Sequence, residues 1–232
     1  MKKLLLLVAW VFCINCGIVM ASSPDIAVAV VHGQFAAELS CEDELMVRVP
    51  DTGEEMVLKP DRYFVNAEGG TVNLGAQKFG AKTLRFVVKE NGKPIEVNKK
   101  AYRGSFEVRI SADGKTLDVV NVLPLEQYLY AVVPSEMPYT YQTEALKAQA
   151  VCARTYAYKH MVSNDYAWLG AHVDDSTAYQ VYNNSEEQAT TSQAVDDTYG
   201  QIMTCNGGPI SAFFYSTSCG SSTDATIWGG SG

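Results

Sequence analysis

The feature that most limits the fold is a change of period near residue 122. Up to Val122 the chain carries short β-branched or alternating runs, among them Ile26–Val31, Leu45–Val49, Leu84–Val88 and Phe106–Ile110. Turn signals separate them: Asp51-Thr52-Gly53, Glu68-Gly69-Gly70, Glu90-Asn91-Gly92 and Ala112-Asp113-Gly114. Regularly spaced short strands with such turns predict a small sandwich or barrel-like lobe. Beyond Pro124 the apolar positions follow helical spacing instead. With 232 residues, of which 47% are hydrophobic and 19% charged, the chain has the composition of a globular protein with a real core.

Pro124 is placed to open a helix, with Leu125, Tyr128, Leu129 and Val132 on one face, and Pro134 is expected to end it. A second helix is expected from an N-cap at Thr140, with Glu144 in its first turn. Leu146, Ala150, Ala153 and Ala157 give it a narrow face suited to close packing. Ser185-Glu186-Glu187-Gln188 is a capping box for a third helix. Gly200–Cys205 and Ile210–Tyr215 then read as strands joined at Asn206-Gly207-Gly208-Pro209, a hairpin signal. The predicted class is α+β: an N-terminal all-β lobe over residues 22–100, then a helical core with a β-hairpin over 101–232.

The first residues speak to compartment. Lys2 and Lys3 precede an apolar run from Leu4 to Gly17, and Val19-Met20-Ala21 puts small residues where a signal peptidase reads. Residues 1–21 are therefore expected to be a cleaved signal peptide, the other reading being a retained anchor. The protein is expected in the cell envelope. Cys41, Cys152, Cys205 and Cys219 follow, with no C-x-x-C spacing. Cys205 and Cys219, nearest in sequence and flanking an expected strand, are the preferred pair. A formal net charge of -8 argues against nucleic acid as a partner.

The chemistry is concentrated between Val122 and Tyr158. Glu136 stands between Pro134 and Pro138, which fix the backbone at a helix-to-helix corner. Apolar neighbours there would desolvate the carboxyl and raise its pKa, as a general acid requires. The residue types leave a second reading open, in which Glu136 caps a helix or pairs with a cation. Lys147 and Arg154 stand seven residues apart, two turns of one helix, and share a stripe. Facing a groove they would bind a glycan's oxygens; facing water they are ordinary surface charge. Glu126 and Glu144 read as structural helix charges.

Several blocks in order resemble the stage II sporulation protein D / amidase-enhancer family. They are Tyr102-Arg103-Gly104-Ser105, Val122-Leu123-Pro124-Leu125-Glu126-Gln127-Tyr128-Leu129, Val132-Val133-Pro134-Ser135-Glu136-Met137-Pro138, Glu144-Ala145-Leu146-Lys147-Ala148-Gln149-Ala150-Val151, Ala153-Arg154-Thr155-Tyr156-Ala157, Gln180-Val181-Tyr182 and Phe214-Tyr215-Ser216-Thr217-Ser218-Cys219-Gly220. The resemblance implies a lytic transglycosylase that cleaves MurNAc–GlcNAc bonds in glycan strands stripped of stem peptides. It places the catalytic glutamate on Glu136 and cleft-lining substrate contacts on Lys147, Arg154, Gln180, Tyr215, Ser216 and Ser218. The implied partners are peptidoglycan glycan strands and, through the family's other name, a cell-wall amidase or other wall hydrolases. Some members bind zinc before the Gln-Val-Tyr block; here His172-Val173-Asp174-Asp175 supplies one histidine and no cysteine, so no metal and no cofactor are expected. Members continue past Trp228-Gly229, which would make Ser231-Gly232 a truncated C-terminus. The competing expectations are a non-catalytic glycan-binding enhancer of an amidase and a plain structural envelope domain.

Overall fold

A computed structural model describes residues 23–88, 92–176, 179–183 and 185–214. The expected signal peptide, Tyr215, Ser216, Ser218 and Cys219 lie outside the described residues.

Among these residues two sheets form the β lobe. The larger has seven strands, in the spatial order Val173–Asp174, Asp25–Gln34, Leu117–Pro124, Ser105–Ile110, Thr83–Val88, Leu45–Arg48 and Glu55–Leu58. The smaller has six: Lys100–Tyr102, Ile95–Val97, Ala36–Cys41, Asp61–Glu68, Thr71–Leu74 and Gln77–Lys78. All neighbours are antiparallel except Val173–Asp174, which runs parallel to the first strand with Val28 opposite Val173. Alternation gives each strand an inward row. Leu84, Phe86, Phe106 and Val108 from the larger sheet and Leu39, Val65, Val72 and Ile95 from the smaller join one core. That core continues into the helices through Tyr128, Leu129, Val132, Ala150, Ala153 and Ala157.

The strand Leu117–Pro124 is the pivot. It is buried at nearly every position, because both its faces are covered. Val119 faces the main core, while Val120 and Ala29 pack beneath Leu169 and Ala171. The larger sheet thus crosses the residue-100 boundary, since Ser105–Ile110 and Leu117–Pro124 are integral to it.

Helix α1 (Leu125–Glu136) starts where that strand stops. Pro124 offers no side-chain cap; instead the Leu125 N–H donates to the Pro24 carbonyl (2.9 Å) and the Glu126 N–H to Ser23 Oγ (3.3 Å). The sequence predicts that Pro134 ends the helix, but α1 runs through it to Glu136. In the last turn its missing N–H forfeits only one bond, and the Met137 N–H still donates to Val133 O (3.0 Å). Helix α2 (Thr143–Ser163) starts after Gln142 rather than after a Thr140 cap, because Tyr141 N–H closes a turn on Pro138 O (3.1 Å). Helix α3 (Ala189–Asp197) begins past the capping box, whose residues are taken up by tertiary contacts: Ser185 N–H donates to Ser135 Oγ (3.1 Å) and Glu187 pairs with Arg103. The terminal hairpin is shorter than expected, Thr204–Cys205 against Gly208–Pro209, turning at Asn206 (φ 51°) and Gly207 (φ 82°). Cys41 is a buried thiol, Cys152 a half-buried one, and Cys205 is exposed.

Candidate active site

Glu136 is the last residue of α1, so its side chain leaves the helix at the corner toward α2. It lines an open depression of about 350 Å³ together with Ser135, Met137, Tyr139, Ser185, Glu186 and Gln188. The Val181 N–H donates to Glu136 Oε1 at 2.7 Å. No cation among the described residues pairs with this carboxyl. Burial raises its pKa above the ordinary glutamate value, and the Val181 N–H pulls it partly back. The group is a half-buried carboxyl held at one oxygen, which is what an acid/base cycling between two protonation states requires.

The Gln180-Val181-Tyr182 segment fixes that geometry from behind. Gln180 is 0% exposed: Tyr128 Oη donates to its Oε1 (3.3 Å), and its Nε2 donates to Ala153 O on α2 (3.2 Å). Tyr182 is 2% exposed, stacks on Tyr128 with ring centroids 4.8 Å apart, and donates to Asn121 Oδ1 (2.7 Å). Asn121 in turn donates to Arg103 O (2.9 Å) and Ser105 O (3.1 Å). Neighbours on either side of Val181 are thus anchored in α2 and in the central strand, and the one N–H between them is aimed at Glu136. Gln180 was expected to touch substrate; the structure corrects this, because a fully buried, doubly bonded amide holds the strap rather than lining the depression.

Arg154 requires a similar correction. Its guanidinium, 1% exposed, forms a fork on Glu126 through Nε (2.9 Å) and Nη2 (2.7 Å). Further donations go to Val195 O (3.1 Å) and Gln201 O (3.2 Å). These bonds tie α1, α2 and the end of α3 together, leaving no open face for a saccharide. Lys147, on the same stripe, bridges Glu144 Oε1 (3.2 Å) and Asp197 Oδ2 (3.1 Å), and the bond to Asp197 is the main cause of its raised pKa. Its side chain keeps 26% exposure. The stripe shared by Lys147 and Arg154 therefore faces α3, whereas Gln180 meets α2 at Ala153 and its neighbour Val181 meets Glu136.

Sequence reasoning singled out Glu136 but not the groups that place it. Ser135 is one of these: its Oγ donates to Ala131 O (2.7 Å) and accepts from Ser185 N–H, pinning the 185–188 wall to α1. Arg103 is another, forking onto Glu187 at 2.6 and 2.8 Å. The signal for both was present in the Pro-Ser-Glu-Met-Pro and Tyr-Arg-Gly-Ser blocks. Among the described residues no three His, Cys, Asp or Glu side chains converge as a metal site.

Residues 113–205, which hold α1, α2, α3 and Glu136, match the family model described as Stage II sporulation protein. The chain is 45% identical over 123 residues to Stage II sporulation protein D of Bacillus subtilis (strain 168), covering 47% of this chain and 36% of that protein. It is 38% identical over 123 residues to Stage II sporulation protein D of Bacillus amyloliquefaciens, covering 47% of this chain and 36% of that protein. A longer stretch, 189 residues at 36% identity, matches the amidase enhancer of Bacillus subtilis (strain 168), covering 74% of this chain and 25% of that protein. The chain spans between a quarter and about a third of the length of these relatives. The domain match and these relatives agree with the motif order, and the chain belongs to the stage II sporulation protein D / amidase-enhancer family.

Proposed function

We propose that this protein is an exported lytic transglycosylase acting on peptide-denuded peptidoglycan glycan strands, with Glu136 as its acid/base. The observation that carries this reading is a half-buried carboxyl, paired with no cation among the described residues, at the edge of an open depression whose other carboxyl, Glu186, is exposed. Hydrolytic glycosidases ordinarily need two carboxyls, one for the leaving oxygen and one for water or the sugar. A transglycosylase needs one. Protonated Glu136 gives its proton to the oxygen linking MurNAc C1 to GlcNAc as that C–O bond breaks. The resulting carboxylate, held by the Val181 N–H, then takes the proton from the MurNAc C6 hydroxyl as its oxygen bonds C1. A 1,6-anhydro ring closes, water is not consumed, and Glu136 is protonated again. Lys147, with part of its ammonium still reachable, is assigned to the substrate, while Arg154 acts by bracing α2. Export rests on the Lys2-Lys3 start and the apolar run from Leu4 to Gly17.

The test is mass spectrometry of products released from denuded glycan strands by full-length protein, beside its Glu136→Gln variant. Anhydro ends from wild type alone support the proposal. Reducing ends mean hydrolysis and would recruit Glu186, the carboxyl on the 185–188 wall. The match to an amidase enhancer over 74% of this chain favours one second reading, a glycan-binding module that stimulates a cell-wall amidase. Binding without cleavage by folded full-length protein would select it.

A further inference from the structure

Acid/base chemistry at Glu136 uses the Tyr102-Arg103-Gly104-Ser105 block only as support, yet that block also lines depressions beside the site. Glu186 lines the Glu136 depression and also a second one of about 200 Å³. Arg103 and Gln127 line this second depression and also a third, of about 510 Å³, at the edge of the β lobe. The three depressions are therefore neighbours in a row from Glu136 to the lobe, a track with Glu186, Arg103 and Gln127 on the rims between them.

Local structure explains why Arg103 stands in the track. Gly104 (φ +82°) comes so close to the central strand that a Cβ would lie 2.6 Å from Leu123 Cβ and Val122 O. The turn this permits sends Tyr102 inward against Tyr182 and Arg103 outward. Arg103 lies over the Tyr130 ring (5.8 Å to the centroid) and forks onto Glu187, with side-chain exposures of 46% and 32% for the pair. It is held in place and is still reachable. Lys93, which lines the third depression, adds a second cation, exposed and paired with Glu42.

We propose that this track holds saccharide units of the glycan strand beyond the cleaved bond, and that Arg103 binds the lactyl carboxylate of a distal MurNAc. The inference rests on the glycan reading above. A polymer cleaved at Glu136 must continue past it, and a fork beside polar Gln127 and Asn183 matches a carboxylate-bearing sugar. In this view Glu187 occupies the Arg103 fork until a substrate carboxylate replaces it.

The experiment measures affinities calorimetrically with full-length Glu136→Gln protein, which holds strands uncut. The probes are peptide-free MurNAc–GlcNAc tetrasaccharide and octasaccharide and an N-acetylglucosamine octamer lacking lactyl groups. The expected result is a gain on lengthening, of which Arg103→Gln removes about tenfold for the MurNAc octasaccharide but little for the N-acetylglucosamine octamer. Glu187→Gln, which frees the fork, keeps or raises that gain, and Gln127→Ala lowers it. Equal losses in Arg103→Gln and Glu187→Gln would reduce the pair to a structural clasp and overturn the proposal. So would tight binding that does not depend on length. Absence of binding to any of the three probes would overturn the glycan reading itself.

Discussion

The two ends of α1 carry glutamates ten residues apart, and their surroundings give them opposite work. Glu126, 6% exposed, is surrounded by donors: the Arg154 fork and the Gly200 N–H (3.2 Å). Glu136 accepts from the Val181 N–H and, among the described residues, pairs with no cation; one side of it is open. A carboxylate with both oxygens held by a rigid partner is a brace. One that is desolvated but only singly bonded keeps its proton longer and has a face left for substrate. One helix thus carries a fixed end at Glu126 and, at Glu136, an end open to a depression.

The sharpest way to break this contrast is Glu136→Gln. The amide preserves the shape and still accepts from Val181, but it cannot cycle a proton, so cleavage of denuded strands should fall by roughly 10²–10⁴-fold while the fold persists. The pH dependence carries a sign. Because burial holds the Glu136 pKa above the unfolded value, the native state binds this proton more tightly. The stability this supplies is full below the unfolded pKa and is lost as pH rises through the folded one. Melting curves across that window should show Glu136→Gln gaining on wild type as pH rises. Activity should hold to higher pH than an ordinary glutamate allows, then fall.

At the braced end the expected effect is on stability. Arg154→Ala leaves Glu126 buried and unpaired, which should cost about 3–5 kcal/mol in denaturant unfolding. Replacing both partners, Glu126→Leu with Arg154→Met, should recover most of that loss. If the single variant instead unfolds like wild type but binds glycan poorly, Arg154 belongs with the substrate contacts after all. Between the two ends, Tyr182→Phe strips the donor from buried Asn121 and should cost about 1–3 kcal/mol, lowering activity only through looser placement of Val181.

Much of this was legible from local pattern. Alternation marked the strands at Ile26–Val31 and Phe106–Ile110, and the Leu125/Tyr128/Leu129/Val132 spacing marked α1, since each records which face is buried. The corner prolines marked Glu136. Partnership was not legible. A helical stripe shows that Lys147 and Arg154 share a side but not what lies opposite, so Arg154 was expected in the cleft and is found inside the protein. Gln180 and the Ser185–Gln188 box misled for the same reason: their side chains are taken up by contacts distant in sequence.

Lys147 provides the smallest and most discriminating test of the contrast. It lies on the Arg154 stripe, yet unlike Arg154 its ion pairs reach Glu144, whose side chain is 85% exposed, and Asp197 at 36%. Pairs so wet contribute little to folding, so Lys147→Ala should melt with wild type, and the more closely the higher the salt. If its ammonium passes from these carboxylates to the glycan, affinity of the Glu136→Gln protein for denuded strands should drop about three- to tenfold with the Lys147→Ala change added. A lowered melting temperature with unchanged affinity would instead make Lys147 a link between α2 and α3. The whole Lys147/Arg154 stripe would then belong to the bracing side, and the glycan would be confined to the depression where Glu136 faces Ser185, Glu186 and Gln188.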